Sequence, residues 1–145
     1  MLALDVGDRW VGVALSRSRI VCEPLATIER KGRTQILDAV QRLVEEHRAG
    51  EVVLGLPLLR DGSKGDQAEK VLAFGRSLQR RLGRVPVRYQ DERYTSLEAG
   101  EIRREAELGD RHATDALAAA IILRDYMDST GGAARAADPP DEVAP

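Results

Sequence analysis

The chain runs to 145 residues with a formal net charge of −2, one cysteine and five aromatic residues. That length fits one domain with a sizeable core; no apolar run approaches the roughly 18–20 residues of a membrane span, and a strand-like run from Leu2 leaves no signal-peptide pattern. Lone Cys22 excludes disulfide frameworks and cysteine-based zinc sites and fits a reducing cytoplasm, while so few rings argue against nucleic-acid binding by stacking.

Leu2-Ala3-Leu4-Asp5-Val6 reads as a strand interrupted by a carboxylate, Gly7-Asp8-Arg9 as a turn, and Trp10 to Leu15 as a second strand. Ile20 to Ile28, bent by Pro24, completes an expected antiparallel meander. From Arg33 to His47 the apolar positions Ile36, Leu37, Val40, Leu43 and Val44 follow helical spacing, and Gly50 closes the segment. Val52 to Leu56 is nearly all apolar, as expected of a strand covered on both faces.

Asp61-Gly62-Ser63-Lys64-Gly65 reads as a loop. Asp66 and Glu69 resemble a capping pair that opens a helix carrying Val71, Leu72, Leu78 and Leu82 and stopping at Gly83. Val85 to Gln90 is a fifth strand leading into Asp91-Glu92. Thr95 and Glu98 form a second capping box for a helix to about Glu107, and a last helix runs from about Ala113 to Met127. Three strands, then alternating helices and strands, then helices imply an α/β fold: a mixed sheet with helices on both faces. Residues 129–145 read as a flexible acidic tail rich in Pro, Ala and Gly. Without that tail, the domain at 1–128 has a net charge of zero.

Asp5 is the most informative residue. A charge between Leu4 and Val6 costs several kcal/mol if buried unpaired, so a basic partner, water or a metal must compensate it. An edge strand with Asp5 facing water is the alternative, but the apolar runs at Val13 to Leu15 and around Leu54 favour a central strand. Asp91-Glu92 falls at the C-terminal end of the fifth strand, where open α/β sheets place ligands. Asp115 falls in the first turn of the expected last helix, where it either complements the helix dipole or joins the other acids. Carboxylates converging at one sheet end raise each other's pKa unless cations neutralise them. Hard oxygen donors without cysteine ligands select Mg²⁺ or Mn²⁺ over Zn²⁺, and paired ions of this kind support in-line phosphoryl transfer. The chemistry indicated is that of a metal-dependent phosphodiesterase.

Four blocks then carry a resemblance. They are Leu4-Asp5-Val6-Gly7 with Val11-Gly12-Val13-Ala14; Gly55-Leu56-Pro57-Leu58 with Asp61-Gly62-Ser63, Gly65 and Gln67-Ala68; Asp91-Glu92-Arg93 with Thr95-Ser96; and Asp115-Ala116 with Ala118-Ala119-Ala120 and Ile122-Leu123. In this order and spacing the chain resembles the YqgF family, also called RuvX-like, pre-16S rRNA nucleases with a ribonuclease-H-like fold. The resemblance implies a mixed five-stranded sheet and a catalytic, metal-binding set of Asp5, Glu92 and Asp115, leaving Asp91 aside. Tyr94 departs from the family's usual leucine, and His112 from its usual basic residue. His112 reads either as a solvated residue at the helix start or as a proton shuttle near the metals.

Phosphate contacts are expected from two places. In the loop at Gly62, Ser63, Lys64 and Gly65, glycines let backbone amides approach and a helix N-terminus follows. After the fifth strand, Arg93, Thr95 and Ser96 offer a cation and a second helix start. Residues 76–104 hold eight arginines against four acids, a balance of +4 that suits phosphate contacts or simply solvates a helix.

These residues and the family resemblance lead us to expect a cytoplasmic nuclease using Mg²⁺ or Mn²⁺ on RNA, at the 5′ end of precursor 16S rRNA, as a monomer or weak homodimer. The competing expectations are a Holliday junction resolvase acting on branched DNA, which needs a stable dimer, and a non-catalytic nucleic-acid-binding module.

Overall fold

A computed structural model describes residues 1–92 and 111–130. Its elements are β1 (Leu2–Val6), β2 (Trp10–Leu15), β3 (Glu23–Glu29), α1 (Arg33–His47), β4 (Val52–Leu56), α2 (Asp66–Leu82), β5 (Val87–Asp91) and α3 (Arg111–Thr130). The expected helix between Thr95 and Glu107, and residues 131–145 of the expected tail, lie outside the described residues.

The strands form one mixed sheet in the order β3-β2-β1-β4-β5. β1, β2 and β3 are the antiparallel meander, while β4 joins β1 and β5 joins β4 in parallel. β1 therefore lies in the middle, and Leu2, Ala3 and Leu4 are fully buried. This placement removes the edge-strand alternative for Asp5.

Side chains alternate between the two faces, and each face has its own core. Leu2, Leu4, Val11, Val13, Leu15, Val52, Leu54 and Leu56 pack under α1 and α2. Ala3, Ala14 and Val53 pack under Ala119, Ile122, Leu123 and Tyr126 of α3. Small residues on this second face let the helix lie close to the strands. No helix among the described residues is long and apolar enough to cross a membrane.

Several boundaries differ from the sequence reading. β3 starts at Glu23 rather than Ile20 because Ser18 Oγ accepts the amides of Ile20 and Val21, while Arg19 turns with φ 62°. The sheet register shifts between Val13 and Ala14, opposite Ala26 and Pro24. Proline has no N–H to donate there. α1 ends on Arg48 in the left-handed conformation, not on Gly50. Asp66 does not cap α2: Gly65 takes the cap position without a side-chain bond, and Asp66 and Glu69 are acids of the first turn that complement the dipole. β5 begins at Val87 instead of Val85. α3 starts two residues earlier than expected and continues to Thr130, taking in Ser129, whose hydroxyl donates to the Tyr126 carbonyl.

Candidate active site

The strand faces decide which acids meet. Asp5 is paired across the antiparallel ladder with Gly12, so both share the face covered by α3. A Cβ on Gly12 would lie 2.0 Å from the Asp115 carbonyl oxygen and 3.0 Å from the Ala116 nitrogen. Glycine at that position is what lets the helix backbone descend onto the strand, and the descent brings the Asp115 backbone onto β2 at the residue paired with Asp5.

Asp115 is the fifth residue of α3, and the first turn holds no acid. The dipole-complement alternative for Asp115 therefore fails, since that effect is confined to the first turn.

Glu92 arrives from the other side. Its amide donates to the Leu56 carbonyl at 2.9 Å, which carries the β4–β5 ladder one residue past Asp91. Asp91 pairs with Leu56 and follows it to the α1–α2 face, where it is exposed. Glu92 therefore falls on the opposite face, with Gly55. A Cβ on Gly55 would lie 3.5 Å from Glu92 Cγ and 2.6 Å from Ile122 Cδ1. Asp5, Glu92 and Asp115 are each half-buried. All three acids thus stand on the α3 side at the C-terminal edge of the parallel strands.

All donors in this set are hard oxygens. Glu92 Oε1 and Asp115 Oδ2 are buried and accept no hydrogen bond from the described residues, although both side chains take part in other interactions. Among the described residues no three His, Cys, Asp or Glu side chains stand close enough together to hold an ion as they are. The donor chemistry and the shared face fit a hard divalent cation.

The other expected site residues fare differently. The loop after β4 closes on itself: the Gly62 amide donates to Leu59 O, Ser63 O accepts from Leu59 N, and both the amide and hydroxyl of Ser63 donate to Asp61 Oδ1. Gly62 holds φ 86°, which explains the glycine by the turn itself. Its amide and that of Ser63 are therefore spent within the loop, and the expected phosphate cradle narrows to Lys64 and the α2 start at Gly65. Arg93, Thr95 and Ser96 lie outside the described residues, and so does the side chain of His112.

Among the described residues, the arginines of 76–104 fall on both sides of the sheet. Arg88 lies near Tyr126 on the α3 side, whereas Arg81 bonds Asp38 and Gln41 of α1. Sequence reading missed the roles of Gly12 and Gly55, and also a cleft on the α1–α2 side lined by Arg30, Lys31, Arg33 and Lys70. The cationic run Arg30-Lys31-Gly32-Arg33 at a helix start was the available signal for that cleft.

Comparison with known proteins agrees with this architecture. Residues 1–129 match the family model RuvX, described as Holliday junction resolvase. A protein of Caldanaerobacter subterraneus subsp. tengcongensis named "Putative pre-16S rRNA nuclease" is 41% identical over 134 residues, covering 89% of this chain and 96% of that one. One of the same name from Moorella thermoacetica is 41% identical over 135 residues, covering 90% and 96%. The Thermus thermophilus RuvC structure superposes with a TM-score of 0.56 at 18% identity, covering 91% of this chain and 97% of that one. RuvC from the same species in complex with a Holliday junction substrate gives 0.54 at 17% identity, with the same coverage. The chain belongs to the RuvX (YqgF) family and has its RuvC-like, ribonuclease-H-like fold.

Proposed function

We propose that this protein is a metal-dependent nuclease that hydrolyses phosphodiester bonds of RNA, and that its substrate is the 5′ end of precursor 16S rRNA. The observation that carries the chemistry is the common face of Asp5, Glu92 and Asp115, drawn from three distant segments to one sheet edge. The choice of substrate is supported by the name "Putative pre-16S rRNA nuclease" carried by relatives 41% identical over nearly their full length.

Asp5, Glu92 and Asp115 would hold Mg²⁺ or Mn²⁺, which when bound activates the attacking water and neutralises charge on the leaving oxygen. The protein's own contribution is placement. Asp5 is fixed by its pairing with Gly12, Glu92 by its amide bond to Leu56, and Asp115 by the Gly12 contact. Half-burial strengthens each carboxylate's field relative to open water. Arg93, Thr95, Ser96 and the Lys64–Gly65 segment are the chain's candidates for holding the scissile strand.

The RuvX description supports a second reading, cleavage of four-way DNA junctions. One set of assays separates it from the first. Wild type and Asp5→Asn are incubated with a precursor 16S 5′-end fragment, duplex RNA and a four-way DNA junction, in Mg²⁺ or Mn²⁺ and in EDTA. The expected result is cleavage of the precursor fragment that EDTA abolishes and Asp5→Asn lowers by about 10³-fold or more, with RNA binding retained. Cleavage unchanged by both treatments would sink the metal-nuclease reading. Symmetric cleavage confined to the junction would transfer the activity to branched DNA. Undiminished function in Asp5→Asn cells without any cleavage in vitro would mark a binding module.

A further inference from the structure

A cleft of about 560 Å³ opens on the side of the sheet opposite the three acids, between the β1–β2 turn, the start of α1 and the middle of α2. Arg30, Lys31, Arg33 and Lys70 line it, with Asp8 as its acid. A second hollow shares Arg33, Leu37 and Ser77 with it and continues to Arg80 and Arg81. The two make one groove between α1 and α2, bordered by six cationic side chains, of which Lys70 pairs with Asp8 at 3.3 Å, Lys31 with Glu29 at 4.0 Å and Arg81 with Asp38.

The floor is built rather than incidental. Arg30 stacks 5.4 Å over the Phe74 ring and donates to the Gly7 carbonyl at 2.7 Å. Arg33 reaches across from α1 to Ser77 Oγ on α2. α1 begins at Gly32 with no side-chain cap and no acid in its first turn, so its positive end faces the groove uncompensated. α2, by contrast, has Asp66 and Glu69 in its first turn.

We infer that this groove is a track for the phosphodiester backbone of the nucleic-acid strand that enters or leaves the acidic site, an inference that rests on the nuclease reading. Length supports an oligonucleotide over a single nucleotide. From Lys70 to Arg81 along α2 is about 16 Å, roughly four to five stacked nucleotide steps of 3.4 Å. The mouth adjoins the acids: Asp8 is three residues beyond Asp5, within about 10 Å of backbone. A strand crossing the sheet edge over Gly7–Asp8 passes from one site to the other. Arginine forks and lysines spaced along a groove bind phosphates without reading bases, in keeping with a chain poor in aromatic rings.

The test is anisotropy of fluorescein-labelled single-stranded RNA, 16 and 4 nucleotides long, titrated with the full chain in EDTA from 50 to 200 mM salt. Lys31→Gln/Lys70→Gln is the first variant, because these side chains are 72% and 58% exposed and their removal leaves the core intact. Neutralising one phosphate-binding cation lowers the single-strand salt slope by about 0.7, so this pair should lower it by about 1.4 on the 16-mer. That is roughly a sevenfold loss of affinity at 50 mM relative to 200 mM salt. The 4-mer should change less, and the Lys→Arg pair should restore the slope. Arg33→Gln/Arg80→Gln added to the lysine pair should double the effect.

An unchanged slope in the lysine pair overturns the proposal. So does displacement of the 16-mer by micromolar AMP or inorganic phosphate, which would make the cleft a mononucleotide or phosphate pocket. Asp5→Asn separates the two readings. If it cleaves as wild type while the lysine pair loses slope, the metal-nuclease reading falls and the groove stands as a phosphodiester-binding surface only. If it is inactive while the lysine pair keeps its slope, the track alone falls.

Discussion

Gly12→Ala tests how Asp115 is brought to the site. A strand glycine ordinarily gains about 0.5–1 kcal/mol on becoming alanine, so local propensity predicts stabilisation. The tertiary contact predicts the reverse. The new Cβ would stand 2.0 Å from the Asp115 carbonyl oxygen and 2.4 Å from its carbonyl carbon, both backbone atoms that no rotamer change can move. Restoring an ordinary C···O separation near 3.3 Å requires α3 to withdraw by about 1.3 Å. A gap of that size forfeits a quarter to a half or more of the dispersion contacts where Ala119, Ile122, Leu123 and Tyr126 meet Ala3, Ala14 and Val53. Overpacking of this kind costs about 3 kcal/mol, which for a chain of this length lowers the unfolding midpoint by about 10 °C. Far-UV circular dichroism during thermal and urea unfolding measures it, with Gly50→Ala as control. Gly50 is exposed with nothing within 4 Å of a Cβ, so that change should be neutral or slightly stabilising. Because the same withdrawal lifts Asp115 from Asp5, metal-dependent cleavage should fall along with stability. A Gly12→Ala midpoint within about 2 °C of wild type would refute the argument, since the helix would not depend on that close approach.

Strand parity makes a second prediction: Glu92→Gln should reduce cleavage by about 10²-fold or more, whereas Asp91→Asn, on the far face, should leave it near wild type in the same metal-dependent assay. Arg48 ends α1 at φ 52°, a conformation that penalises side chains, so Arg48→Gly should raise urea-unfolding stability by about 0.5–1 kcal/mol. Burial and then the Glu51 carboxylate, whose Oε2 accepts from the hydroxyl at 3.1 Å, push the Tyr126 phenol above its ordinary value of 10.0. Below that value folded and unfolded chains both keep the proton and the contribution is complete; it is lost as pH rises through the raised folded value, because the unfolded chain has already released its proton. Tyr126→Phe should therefore flatten the alkaline fall in stability above about pH 10 while costing about 1 kcal/mol at neutral pH, both read from urea titrations.

Local pattern alone carried much of the fold. α1 at Arg33–His47, β4 at Val52–Leu56 and α2 ending before Gly83 were legible because apolar spacing and a terminating glycine are properties of near neighbours in the chain. β3 was read too early because Ile20 and Val21 look like strand residues, and only the Ser18 hydroxyl bonds to their amides reveal a turn. The identities of the acids were legible too, since a carboxylate inside an apolar run is conspicuous wherever it lies.

Their meeting was a matter of space. The family resemblance already favoured Glu92 over Asp91; the physical reason is the face of β5 that turns toward α3, which a one-residue offset in a strand reverses. Asp115 reaches the sheet face that carries Asp5 because Gly12, about a hundred residues before it, has no side chain to hold the helix away. The loop glycines, taken from sequence as a phosphate cradle, proved to spend their neighbouring amides on their own turn. The basic groove unites a connector before α1 with one face of α2, segments separated by some forty residues. Sequence by itself determined most of the elements, the family resemblance and the identity of the candidate acids. Sheet order and face alternation decided which of them share one site, because chemistry between side chains depends on distance through space and not along the chain.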